Sequence, residues 1–494
     1  MKLLALLLAG LALAAPAHMG STGAGFTAAS ADPAQMFSTA ADFNTVTVTL
    51  ADPGTPLRGN VTLSANAASD RGIASVTFQV SAAGANGWGT VCTATAVPYS
   101  CTWSTTTVSD GLVDVRALGV DTAGYARSDA VASRRVDNTA PTATIVNPGS
   151  PLRGSVTLST GSSDSGSGLA SVRYEYRVSP AGSWTTACTG TTTPFSCSWN
   201  TTSVVDGSYD LRAVATDAAG NADASAAVTA RSVDNTAPSG VTLVDPGSPL
   251  RGSVPLSGTA LDAGSGIASM RFQYAPAGTT AWTDACVATS APYSCSWATA
   301  GVADGLYDMR ALATDVAGNT ASSATIANRR VDNTAPRATD VQGANGGTGG
   351  KLDAGDTLTL SYSETMAPGT ILAGWSGAST AVTVRVTNSS TKDLLAVWNA
   401  TGTARVALTS STQDLQLNNN WVTGNVTYNA TMVQSGANVV VTIGAVVSGA
   451  GNVATGVTGT TAIAWAPSTA ATDIAGNACS ATAATESGAA DRDF

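Results

Sequence analysis

Apolar side chains recur at every second position through most of the chain. Val172, Tyr174, Tyr176 and Val178 alternate with Arg173, Glu175 and Arg177. Tyr209, Leu211, Ala213 and Ala215 alternate with Asp210, Arg212 and Thr216, and Val214 alone breaks the rule. A period of two places one face of a strand on a core and the other in water. Turn signals such as Pro53-Gly54, Asp70-Arg71-Gly72 and Asp110-Gly111 separate these runs. They recur about every 8 to 12 residues, the spacing of a β-sandwich. No segment keeps a helical period.

The pattern is triplicated. Pro-Gly-(Ser/Thr)-Pro-Leu-Arg-Gly occurs at 53–59, 148–154 and 246–252, and Asp-Asn-Thr-Ala-Pro at 137–141, 234–238 and 332–336. Between them stand Asp121-Thr-Ala-Gly-Tyr125, Asp217-Ala-Ala-Gly-Asn221 and Asp315-Val-Ala-Gly-Asn319. The first phrase recurs after 148 − 53 = 95 and 246 − 148 = 98 residues, the size of one immunoglobulin-type sandwich. The expected repeats are 44–140, 141–237 and 238–335. From 336 to 494 the repeat stops. Strand-like runs continue there at 357–366, 381–386, 393–397, 404–408 and 439–443, enough for one enlarged sandwich. The predicted fold class is all-β: three tandem immunoglobulin-like β-sandwiches plus a larger C-terminal β-sandwich.

The Asp-x-Gly-Ser-Gly-(Leu/Ile)-Ala-Ser loops at 164–171 and 262–269, the Asp-x-Ala-Gly-Asn turns and the Asp-Asn-Thr-Ala-Pro junctions resemble the bacterial Ig-like repeats of surface adhesins and wall-associated proteins. The resemblance covers roughly residues 44–336. It departs in the first repeat, where Asp70-Arg71-Gly72-Ile73 replaces the Gly-Ser-Gly loop and Tyr125 replaces Asn. Tyr362-Ser-Glu-Thr-Met366 and Asp473-Ile-Ala-Gly-Asn477 are similar to Ig-like modules of S-layer and other bacterial surface proteins. The resemblance implies a scaffold for reach and adhesion, and a fold of this kind does not by itself specify a ligand.

Residues 1–25 read as a secretory signal: Lys2, an apolar run from Leu3 to Ala15, then small residues, with cleavage after 17 or 25. Residues 26–43 form an N-terminal segment. The apolar run is shorter than the roughly 20 residues a spanning helix needs, so no integral membrane segment is expected. The predicted location is secreted, extracellular or cell-wall associated.

Six of the seven cysteines fall in one register: Trp88, Cys92, Cys101, Trp103; Trp184, Cys188, Cys197, Trp199; Trp282, Cys286, Cys295, Trp297. In an exported chain this predicts the disulfides Cys92–Cys101, Cys188–Cys197 and Cys286–Cys295. Each would join two adjacent strands through a short turn, with both Trp on the same face as the bridge. Zinc and Cys-x-x-Cys redox sites need other spacings. Cys479 has no partner in the register.

Composition narrows the chemistry further. Net charge is −10 and only 11% of residues are charged, which disfavours nucleic acid and anionic membranes as partners. The single histidine, His18, lies in the signal, so imidazole-based triads and His-ligated metals are excluded from the mature chain. The chain is expected not to be an enzyme.

Aspartates gather at the module ends: Asp121, Asp137, Asp217, Asp234, Asp315 and Asp332. They are candidate calcium ligands, because calcium takes loop carboxylates and carbonyls. The alternative is Asx-turns capping their own backbone. Arg116, Arg212 and Arg310 recur two residues from Asp114, Asp210 and Asp308 and read as solvated charge pairs. Trp375, Trp398, Trp421 and Trp465 are core residues or a sugar platform. The expected function is a secreted or cell-surface structural or adhesive protein meeting a cell-surface or matrix glycan or protein. The alternative is an extracellular glycan-binding protein or accessory module of a polysaccharide-active system.

Overall fold

A computed structural model describes residues 45–458 and 461–488; the expected signal at 1–25 and the segment 26–43 lie outside them. The chain divides into two compact units, one ending at Asn138 and one beginning at Thr139.

The first unit is a sandwich of two antiparallel sheets. One holds Thr47–Leu50, Asn60–Ala68 and Tyr99–Ser104 in that order. The other holds Gly89–Ala94, Ile73–Ala82, Gly111–Asp121 and Ala126–Val136. Alternation sends Leu63, Val76, Phe78, Val115, Ala117 and Trp103 into the buried layer between them.

Within the second unit the same plan recurs twice. In the second repeat Ser155–Leu158 pairs with Cys197–Asn200, facing a sheet of Thr185–Gly190, Leu169–Val178 and Gly207–Asp217. In the third, Ser239–Leu243, Ser253–Leu261 and Ser294–Ala298 face Thr283–Ala288, Ile267–Pro276 and Gly305–Asp315. In both, two short strands complete the edge of the longer sheet.

The C-terminal module is one nine-stranded antiparallel sheet. Its order is Ala338–Ala344, Thr357–Tyr362, Asn438–Ser448, Val426–Ser435, Thr380–Thr387, Leu394–Asn399, Leu415–Gln416, Ala464–Trp465 and Ala484–Thr485. The last strand returns beside the first, where the Ser487 N–H donates to Asp340 Oδ1 (2.9 Å) and Gln342 Nε2 donates to Ser487 O (3.0 Å). The sheet thus nearly closes on itself around Leu358, Val384, Val397, Tyr428, Val441 and Trp465. Residues 404–408, expected as a strand, form no ladder: Arg405 makes one bridge to Trp398, and Val406 and Leu408 are buried from irregular backbone.

Disulfides link Cys92 to Cys101, Cys188 to Cys197 and Cys286 to Cys295. The two strands joined are not paired with each other. Each bridge connects the edge strand of one sheet to the edge strand of the other, so it staples the sandwich shut along one side. The Trp residues also part company. Cys92 lies opposite the core residue Phe78 while Thr90 lies opposite Gln79, so a bulge at Val91 resets the alternation. Trp103 is buried, whereas Trp88 lies on the outer face with Arg116 stacked 4.1 Å from its ring centre. Arg212 and Arg310 cover Trp184 and Trp282 in the same way, at 4.3 and 4.2 Å. The expected pairing of these arginines along their own strand does not occur. Arg116 and Arg310 donate across to Gln79 and Gln273, and Arg212 to Glu175. Asp210 takes Arg177 instead.

The repeated phrases have structural work. The leucine of Pro-Leu-Arg-Gly pairs with the end of the last strand: Leu152 N–H donates to Ser232 O (2.8 Å), and Asp234 N–H donates to Leu152 O (2.9 Å). Leu57 and Leu250 do the same. The glycine after the arginine has positive φ, +60° at Gly154, a region that favours glycine. Its N–H donates to the side-chain oxygen of the junction asparagine, Asn235 Oδ1, at 2.8 Å. Each Asp-Gly turn then caps the junction: Asp206 accepts from Asn235 N (2.9 Å) and Thr236 Oγ1 (2.6 Å). Burial opposes the Asp206 charge, but these hydrogen bonds hold its carboxyl below the usual carboxylate range.

Candidate metal centre

The junction between the second and third repeats is built from three of these phrases. Asp234 ends the second repeat, Asp262 opens the Asp-x-Gly-Ser-Gly loop of the third, and Asp315 opens its Asp-x-Ala-Gly-Asn turn. One carboxylate oxygen from each lies within 4.8 Å of the other two. Asp234 and Asp315 are fully buried. The Asn319 amide locks the turn, its N–H and Nδ2 donating to the two Asp315 oxygens at 2.7 and 2.8 Å. The same Nδ2 donates to the Asp234 carbonyl (3.0 Å), tying the repeats together. Ser265 N–H donates to Asp234 Oδ2 (2.7 Å) and Gly266 N–H to Asp262 Oδ2 (2.7 Å). Asp262 Oδ1 is buried and has no hydrogen-bond partner.

The junction between the third repeat and the C-terminal module repeats the arrangement with Asp332, Glu364 and Asp473, again within 4.8 Å of one another. Asn477 locks the turn onto Asp473 (2.8 Å from both its N–H and Nδ2), and its Nδ2 donates to Asp332 O (3.0 Å). A bridge between Met366 and Asp473 brings alongside the bend that carries Glu364, just after the strand Thr357–Tyr362. Partial burial, with the Asp332 and Asp473 charges beside it, pushes the Glu364 carboxyl up to about 7. This triad opens on a cleft of about 340 Å³ lined by Ser248, Pro249, Arg330, Thr365 and Ile474.

Two oxygens bound to one calcium at about 2.4 Å can lie at most about 4.8 Å apart, a spacing that each triad meets. The donors are all oxygen, with neither imidazole nor thiolate, which suits a hard divalent cation and not zinc. The orphaned Asp262 oxygen is the second fitting observation, since a buried acceptor without a partner is destabilising.

Of the six aspartates predicted, Asp234 and Asp315 come together, and Asp332 forms the second triad. Asp217 lies within 4.8 Å of Asp164 at the start of the second repeat. Asp121 and Asp137 belong to the first unit. Asp121 accepts the N–H groups of Ala123 and Tyr125 at 2.9 Å, an Asx-type turn, and Asp137 donates its N–H to Leu57 O (2.9 Å). Sequence reasoning missed Asp164, Asp262, Glu364 and Asp473 as candidate ligands. The signal was present for Asp262 and Asp473, which open phrases already recognised as repeated. Cys479 is a buried thiol that burial, and then the Glu364 charge, push up to about 11. The tryptophans offer no sugar platform: Trp375, Trp421 and Trp465 are buried, and Arg385 covers Trp398 at 4.1 Å.

Gly264 tests the first triad. A Cβ there would stand 2.5 Å from the Asp234 carboxyl carbon. Gly264→Ala is expected to displace that carboxylate and destabilise the junction by about 1–3 kcal/mol, read by hydrogen exchange at Asn319 and Ser265. Unchanged protection there would contradict the packing.

Residues 45–117 and 141–213 match the bacterial Ig domain family. Among solved structures, a tetra-tandem repeat from the extending region of a large adhesion protein is 19% identical, covering 80% of this chain and 98% of its own, with TM-score 0.23. The fibronectin(III)-like modules of Clostridium thermocellum CbhA are 18% identical over 38% and 94%, TM-score 0.27. The FN1–FN3 domains of chicken CNTN1 are 14% identical over 57% and 97%, TM-score 0.29. No curated protein matches the chain.

Proposed function

We propose that the chain, an array of bacterial Ig-like repeats, serves outside the cell as a structural or adhesive protein, with calcium at its junctions and no catalysis of its own. The observation that carries this reading is the reuse of one joint. The Asp234–Asp262–Asp315 and Asp332–Glu364–Asp473 triads share the junction aspartate and the Asp-x-Ala-Gly-Asn turn, and Asn319 and Asn477 lock them in the same way. A joint used twice serves the array, not one reaction. The three inter-sheet disulfides fit an oxidising compartment, in keeping with the signal-like leader. The partner is a cell-surface or matrix protein or glycan.

Calorimetry of the full chain in calcium and in EGTA tests the joints. A site held at a hundredfold excess of calcium over its Kd stabilises the fold by about 2.7 kcal/mol, so EGTA is expected to lower the melting midpoint of the second unit. Superimposable melting curves would remove calcium from the account. Protease treatment of intact cells tests the location: the chain is expected to be digested, and full protection would overturn export.

A further inference from the structure

Besides the exchange of Asp262 for Glu364, the two triads differ beside the junction aspartate. Two residues before the junction aspartate, the second repeat has Ser232 and the third has Arg330. Their backbones are equivalent, each N–H donating to the serine hydroxyl of its Pro-Gly-Ser-Pro phrase, Ser150 Oγ or Ser248 Oγ, at 3.0 Å. Their side chains are not. Arg330 Nε donates to Asp332 Oδ2 at 3.2 Å. At the earlier junction the corresponding Asp234 Oδ2 accepts a loop N–H from Ser265, and Asp262 keeps a buried oxygen without a partner. One triad therefore already carries a cation, and the other has an acceptor that lacks one. The Arg330 side chain is 58% exposed against 8% for Asp332, and it borders the cleft of about 340 Å³. The guanidinium has room to swing away from the carboxylates without unfolding anything.

We propose that Arg330 is a built-in counter-cation that makes the last junction take up calcium at a higher concentration than the junction before it. The proposal rests on the calcium reading above and deepens it. An incoming divalent ion must displace the guanidinium or share the site with its charge. A +2 ion roughly 5 Å from a +1 charge in water-like surroundings is disfavoured by about tenfold in affinity. The Asp234–Asp262–Asp315 joint then closes first, and the C-terminal module is secured only as calcium rises further.

The test is a calcium titration of the chelator-treated full chain by isothermal calorimetry, with terbium luminescence alongside. Asp262→Asn and Glu364→Gln each delete one class of site and so assign them. The class lost in Glu364→Gln is expected to be about tenfold weaker than the class lost in Asp262→Asn. Arg330→Ser is expected to tighten the weaker class about tenfold and leave the tighter one unchanged. Ser232→Arg is expected to weaken the tighter class. Arg330→Lys keeps the charge and is expected to keep the weak class weak, which separates charge from packing. Calcium binding in which Arg330→Ser leaves the weaker class unmoved, or in which the Glu364 class is the tighter, overturns this proposal alone. No calcium binding at either site overturns it together with the calcium reading.

Discussion

Trp465→Ala is expected to destabilise the C-terminal module by about 3–5 kcal/mol. Trp465 is fully buried, its indole N–H donates to Leu408 O (2.7 Å), and its ring meets Tyr362 edge-on at 4.9 Å. It lies on the two-residue strand Ala464–Trp465, which joins Leu415–Gln416 to Ala484–Thr485. Truncation leaves a cavity where the sheet turns back toward its first strand. It also strands the Leu408 carbonyl, an added loss of about 1–3 kcal/mol if water does not replace the indole. Urea unfolding followed by fluorescence and by hydrogen exchange in residues 338–488 measures the change. Trp465→Phe, which keeps much of the volume and loses the hydrogen bond, should fall between the two. A loss under about 1 kcal/mol for the alanine variant would mean that closure does not depend on this ring.

Removing one staple is expected to have an effect of similar size. In Cys286→Ala/Cys295→Ala the lost bridge closes a loop of ten residues, and the chain-entropy relation gives about 2.7 kcal/mol for that length. Here the bridge spans two sheets instead of two hydrogen-bonded neighbours, so no ladder bonds between the same strands can replace it. The third repeat should lose its protection first, with the other two repeats and the C-terminal module unaffected. Urea midpoints of the oxidised wild type and the double variant check the size, and non-reduced peptide mapping checks the pairing. Equal midpoints would show that the sandwich holds without the staple.

The strands and the pairing of sulfurs were legible because both are local regularities. Tyr209, Leu211, Ala213 and Ala215 alternate in sequence and are buried in the sheet, and the cysteine register repeats without a gap. What escaped was whatever depends on a break in regularity or on distant chain. The bulge at Val91 inserts one residue, so counting by twos carried Trp88 to the wrong face. Arg212 was paired along its strand with Asp210, yet its carboxylate is Glu175, across the ladder and 37 residues away. The triads were half legible. Asp234, Asp315 and Asp332 stand in repeated phrases, but Glu364 sits in a bend of a module with no second copy to compare. The return of Ala484–Thr485 to the sheet was hidden for the same reason, as was the neighbouring Glu486, which accepts the Ile463 N–H at 3.0 Å.

The reused joint makes the chain's length adjustable. The end of the second repeat offers Asp234 and its carbonyl to Asn319, and the end of the third offers Asp332 and its carbonyl to Asn477. Excising the 332 − 234 = 98 residues between these equivalent points would bring the Asp234 carbonyl to Asn477 and its carboxylate beside Asp473, keeping the asparagine-to-carbonyl bond of the joint. Unequal recombination within the gene can therefore shorten or extend the array while this bond is kept.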